Sequence, residues 1–185
     1  MTWSKTARRI RGPLGFALAA LFLLLARPTP RFLLYSLLLV VPGIALRAAA
    51  SGHVKKNLEL TISGPYAYTR NPLYLGSILI AVGFAVAAQS LWLAIALLII
   101  FVLIYLPVIR SEEEFLRATF PSFDDYTATV PRLFPRLTST GAPRAPGSFS
   151  PALYRKHREY NALIGSAALY AALIVKFWLE TRTHI

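Results

Sequence analysis

The chain of 185 residues contains no cysteine. Disulfides, thiolate nucleophiles and thiolate metal sites are therefore excluded. Acids are scarce: eight Asp and Glu stand against twenty Lys and Arg, for a formal net charge of +12. The three histidines, His53, His157 and His184, show no ligand spacing, so no metal is expected. Neither Gly-x-Gly-x-x-Gly nor a P-loop occurs, which leaves the usual soluble nucleotide folds unsupported. No Ser-His-Asp arrangement is suggested. What the chain has in abundance is apolar surface: 56% of its residues are hydrophobic, too many for an ordinary water-soluble globule.

The basic residues flank apolar runs, a pattern suited to anionic headgroups rather than to nucleic acid. Residues 1–12 carry four bases and no acid, and an apolar run follows to Ala26. A cleavable signal peptide also opens this way, but no clean small-residue cleavage site follows, so a first membrane helix is expected. Phe32 to Leu46 forms a second run, which Pro42-Gly43 should kink or end early. Leu73 to Ile109 spans 37 residues broken only by Ser77 and Gln89-Ser90. At about 1.5 Å per residue this is too long for one crossing and suits a helical hairpin. Phe115 to Arg136 is mixed and interfacial, with a short helix through Phe120. Thr138 to Pro151 reads as a linker. Ala162 to Leu179 is a last crossing, with Lys176 near enough to its end to snorkel.

The expected fold is all-α: a polytopic membrane bundle of about five transmembrane helices with a cytoplasm-facing pocket. It divides into two N-terminal helices (1–46), a core (47–137), and a linker with a C-terminal helix (138–185). With the amino terminus in the cytoplasm, sixteen of the twenty Lys and Arg fall in segments 1–12, 47–72 and 110–161. That asymmetry obeys the positive-inside rule.

Between the apolar runs lies Gly64-Pro65-Tyr66-Ala67-Tyr68-Thr69-Arg70-Asn71-Pro72-Leu73-Tyr74-Leu75-Gly76. Gly64-Pro65 and Asn71-Pro72 are turn signals. The hairpin brings this stretch to Arg110-Ser111-Glu112-Glu113-Glu114. A carboxylate pair facing a pocket can receive an ammonium or lie near a sulfonium. Tyr66, Tyr68 and Tyr74 can add cation–π faces. Arg70 and Arg110 can hold an anionic substrate group. The plainer readings are a tyrosine belt at headgroup depth, a positive-inside anchor at Arg70, and acids in the first turn of a solvated helix.

Gly64-Pro65-Tyr66, Arg70 to Gly76, an apolar hairpin, Glu112-Glu113 with Leu116 and Phe120, Tyr126, and Val130-Pro131-Arg132 with Pro135 together resemble the isoprenylcysteine carboxyl methyltransferase family. The related phospholipid N-methyltransferases share the pattern. The resemblance implies an integral membrane enzyme that uses S-adenosyl-L-methionine without a Rossmann domain. It implies cofactor contacts from Leu58, Glu59, Leu60 and Thr61, from Tyr66, from Asn71, Pro72, Leu73 and Tyr74, and from Glu112. It implies substrate contact by an arginine before the acidic pair. Arg110 is nearest, at a shorter spacing than the family's. Arg70, Arg110 and Glu113 are the expected catalytic residues. Asn71 replaces the family's histidine, Pro121 its glycine and Phe123 a common tyrosine.

The expected reaction is carboxyl O-methylation of an isoprenylcysteine-like, prenylated or other amphipathic lipid substrate, with membrane lipids as partners. A carboxylate nucleophile is already ionised at neutral pH and needs no base. An amine, as in phospholipid N-methylation, needs one, and Glu113 is the candidate. A sterol-type NADPH-dependent membrane reductase and a non-enzymatic protein with a degenerate pocket are the competing classes.

Overall fold

The computed structural model describes residues 17, 19–55, 58–136 and 147–183. All regular structure among them is helical. Residues 19–25 are α1. They are followed by α2 (Pro30–Ser51), a 3-10 turn (Gly64–Ala67), α3 (Pro72–Ala88), α4 (Leu91–Thr119), α5 (Phe123–Thr129), α6 (Pro151–Lys156) and α7 (Tyr160–Thr183). Three of these are long and apolar enough to cross a membrane: α2, α4 and α7 through Arg182. The apolar helix α3 is shorter, at 17 residues. The basic opening segment and residues 137–146 of the expected linker lie outside the described residues.

Helix boundaries follow local chemistry. Pro30 starts α2 where its missing N–H costs nothing. Pro72 starts α3 in the same way, and Leu75 N donates to Asn71 O at 3.0 Å. Gln89 adopts a left-handed φ of 51° between α3 and α4. Its side chain donates to Arg27 O and Thr29 Oγ1, both at 2.9 Å. Ser90 then caps α4 by accepting from Leu93 N.

Two expectations need correction. Pro42-Gly43 does not end the second run: α2 continues nine residues beyond Pro42, to Ser51. The expected short helix through Phe120 is not a separate one either: residues 115–119 are the end of α4, which runs unbroken from Leu91 to Thr119, and Phe120 lies just beyond it. Within it, Phe101–Tyr105 forms a π turn just before Pro107. Proline has no N–H to donate and its ring crowds the preceding turn, and a local π turn absorbs that misfit.

The chain divides into two compact units. One comprises the described residues up to Val41, Leu79–Val108 and those from Leu163 onward. In it, Tyr170 packs on Phe84 with ring centroids 4.9 Å apart and shares a 2.6 Å hydrogen bond with buried Ser36. The Lys176 ammonium finds partners within this unit. It donates to the carbonyls of Leu23 and Leu24, at 2.7 and 3.1 Å. Leu24, Leu38, Leu91 and Trp92 stand exposed, a surface suited to lipid. The other unit comprises Pro42–Ile78 and Ile109–Ala162, and it carries the polar motifs. Phe123, Tyr126 and Val130 are buried there against Leu60, Ile62, Leu116 and Phe120.

Candidate functional site

Three consecutive glutamates cannot share one helix face, because each residue advances the side-chain direction by about 100°. On α4 only Glu113 turns inward. It is 6% exposed, whereas Glu112 and Glu114 are exposed. Buried Ile109 precedes Glu113 by four residues and core-packed Leu116 follows by three. Glu113 therefore lies on the apolar stripe of its helix, where an unpaired carboxylate would be costly.

Its partners come from two loops. Arg132 Nη2 approaches Oε2 at 2.8 Å, and Arg132 Nε lies 3.0 and 3.2 Å from the two oxygens. Asn71 Nδ2 donates to Oε1 at 3.3 Å and to Arg132 O at 2.9 Å. Arg70 Nε stands 3.7 Å from Oε1, within ion-pair but not hydrogen-bond distance. This Nε is buried without a hydrogen-bond partner. Burial pushes the Arg70 guanidinium below its ordinary value; Glu113 pulls it upward and Arg132 pushes it further down.

The two loops are sewn together. Arg70 N donates to Pro131 O at 2.9 Å and Arg136 N to Tyr68 O at 3.1 Å. Buried Thr69 donates to Leu133 O, and the Arg136 guanidinium to Ala67 O. Tyr126 OH donates to Tyr66 O at 2.7 Å. Tyr66 is buried, and burial raises its phenol above the ordinary value, with Tyr126, Glu112 and Glu159 pushing the same way and Arg47 opposing. The turn before it depends on Gly64, whose φ is +58° and whose Cβ, were one added, would lie 2.6 Å from the His53 ring.

Of the residues singled out in the sequence, Arg70, Asn71 and Glu113 come together. Tyr66 lies within electrostatic range of Glu112. Pro72 is buried, and Leu73 and Tyr74 are half-buried in the first turn of α3. Leu58 and Glu59 are exposed, with Glu59 paired to Lys55 at 3.0 Å. Thr61 Oγ1 accepts from Lys55 N, and Leu60 packs on the α5 core. Arg110 is exposed and takes no part in the Glu113 network. Sequence reasoning did not place Arg132 among the site residues, although Val130-Pro131-Arg132 carried part of the resemblance. Among the described residues, no group of three His, Asp or Glu is arranged to hold a metal ion.

A helical membrane bundle with a buried, doubly arginine-flanked carboxylate defines the class of protein. Its family follows from comparison: the model of the phospholipid methyltransferase family matches residues 31–122, and the chain belongs to this family of integral membrane methyltransferases. It is 43% identical over 112 residues to the nickel-cobalt-cadmium resistance protein NccN of Alcaligenes xylosoxydans xylosoxydans, covering 60% of this chain and 46% of that protein. It is 40% identical over 84 residues to the cobalt-zinc-cadmium resistance protein CzcN of Cupriavidus metallidurans, covering 45% of this chain and 39% of that protein. The matches thus span less than half the length of either relative. No solved structure matches.

Proposed function

We propose that the protein is an S-adenosylmethionine-dependent membrane methyltransferase that O-methylates the carboxyl group of an amphipathic, isoprenylcysteine-like or other lipid-like substrate. The observation that carries this reading is the division of labour between adjacent carboxylates. Both oxygens of Glu113 are engaged by Arg132, with Asn71 also on one of them. Glu112 remains exposed, within electrostatic range of Tyr66.

The residues present fit the cofactor. Its amino-acid end needs a carboxylate for the ammonium and a cation for the carboxylate; in this reading Glu112 would hold the first and Arg70 the second. Arg70 Nε is a buried donor without an acceptor, a deficit of roughly 1–3 kcal/mol that an incoming anion would relieve. When bound, the cofactor supplies a methyl group on a positively charged sulfur. The chain's own residues then orient the acceptor and exclude water. Glu113 keeps Arg70 and Arg132 directed at the site. The amino terminus and the site face the cytoplasm in this reading, and the lipid part of the substrate enters between helices.

Isothermal titration with S-adenosylhomocysteine tests the proposal, with NADPH as the control. Binding that is lost in Glu112→Gln and weakened in Tyr74→Ala is expected. Binding of NADPH alone would favour a sterol-type reductase.

The family's own description favours a second reading, methylation of a phospholipid amine. An amine must first lose a proton, and Glu112 is the nearby carboxylate left to accept it. The relatives' names suggest that such methylation serves metal resistance. Expression in a cobalt-sensitive host should then raise tolerance with the wild type and not with Glu112→Gln. Equal tolerance would end that link.

A further inference from the structure

Residues 147–159 lie beyond the stretch that the family model matches, yet they close the end of α2. The last carbonyls of a helix have no intrahelical partners. Here Ser51 O accepts from His157 Nδ1–H at 3.1 Å, and Gly52 O accepts from Ser150 N at 2.9 Å. Phe149 meets the His53 ring edge-on, with centroids 6.3 Å apart. That same His53 ring packs under Gly64, at the start of the turn that carries Tyr66.

The charged end of this segment is Glu159. Its Oε2 accepts from Arg47 Nε at 3.0 Å and from Nη2 at 2.7 Å. The remaining nitrogen, Nη1, donates to Leu73 O at 3.2 Å and to Ser77 Oγ. One guanidinium thus joins α2, the first turn of α3 and the turn between α6 and α7. The Arg47 side chain lies across Gly76, where an added Cβ would stand 2.6 Å from its Cγ. Both members are largely shielded, at 24% and 13% exposed. Their charges also reach the Tyr66 phenol.

We propose that Glu159 is a positioning residue for the methyl-transfer site: by fixing two nitrogens of Arg47 it aims the third at Leu73 O and so holds the turn that carries Asn71–Tyr74. A guanidinium is planar and rigid, so two fixed N–H groups set the direction of the rest. The family's site is in this chain completed by a segment outside the family match. The inference rests on the methyltransferase reading.

The test uses full-length protein in nanodiscs and three variants: Glu159→Gln, Arg47→Lys and the swap Arg47→Glu/Glu159→Arg. The readouts are the thermal midpoint, the Kd for S-adenosylhomocysteine, and hydrogen exchange of the 75–77 amides. Glu159→Gln and Arg47→Lys should each weaken binding about tenfold and speed exchange in α3. The swap should recover the midpoint but neither binding nor exchange, because a glutamate at position 47 has no N–H for Leu73 O. A swap that restores all three would make the pair a simple staple and overturn the proposal. If the swap does not fold, the single variants decide. Wild-type protein that binds no S-adenosylhomocysteine sinks the methyltransferase reading, and the positioning role with it. Normal wild-type binding, with Glu159→Gln unchanged in affinity and exchange, sinks the positioning role alone.

Discussion

Glu112 and Glu113 differ by one position and sit in different environments. Removing the charge in Glu113→Gln leaves Arg132 and Arg70 without their counter-ion. The expected loss is roughly 1–3 kcal/mol, at the lower end for a buried pair because Arg132 is 45% exposed. Glu112→Gln should leave stability within about 0.5 kcal/mol of wild type. Thermal unfolding in detergent distinguishes the two, and equal losses would mean that Glu113 is not the buttressed acid. Tyr126→Phe removes the donor to Tyr66 O and should cost about 1 kcal/mol. The phenols also set a pH dependence. Unfolded tyrosine releases its proton at 10.0, whereas Tyr66 and Tyr126 hold theirs to higher pH. Above about pH 10 the unfolded state binds fewer protons, so stability falls as pH rises and is unaffected by these groups below it. A melting midpoint that does not drop from pH 9 to pH 11, or that drops equally in Tyr126→Phe, would contradict this.

Helices α2 and α3 approach so closely at Gly76 that an added Cβ would stand 2.7 Å from Gly43 O as well as against Arg47. The carbonyl cannot swing aside without breaking α2. Gly76→Ala should therefore cost roughly 1–3 kcal/mol, read as a lowered unfolding midpoint. A midpoint equal to wild type would show that the helices can part. The apolar pattern foretold the break at Gln89-Ser90 between two apolar helices, because polar side chains are expensive within such runs. It did not foretell that α2 passes through Pro42 or that α4 absorbs Pro107 in a π turn. A proline inside an apolar run does not by itself end a helix, because a local π turn such as Phe101–Tyr105 can absorb its ring and missing N–H.

The cysteine-free chain makes its proposed orientation directly measurable. Single cysteines at Arg110 and Lys156 should react with a membrane-impermeant maleimide only from the cytoplasmic side, and one at Leu91 only from the other. Leu91 and Arg110 lie nineteen residues apart on α4, about 28 Å along its axis, enough to separate the two surfaces. Labelling of all three from one side would refute the crossing, and a reversed pattern would refute the orientation.

The sequence by itself determined the helical membrane class and the family, because long apolar runs and ordered motifs are local, one-dimensional signals. It also held the distinction between Glu112 and Glu113, in the apolar positions Ile109 and Leu116 that bracket the buried acid at helical spacing. Only the tertiary structure decided which cations meet that acid. Arg70, Arg110 and Arg132 are indistinguishable as charges along the chain. Backbone hydrogen bonds between the 66–71 loop and the 130–136 strap bring two of them to Glu113, while helix geometry leaves Arg110 exposed. The partnership of Arg47 with Glu159 was likewise beyond sequence reading, because it joins residues 112 positions apart through a turn that carries no motif.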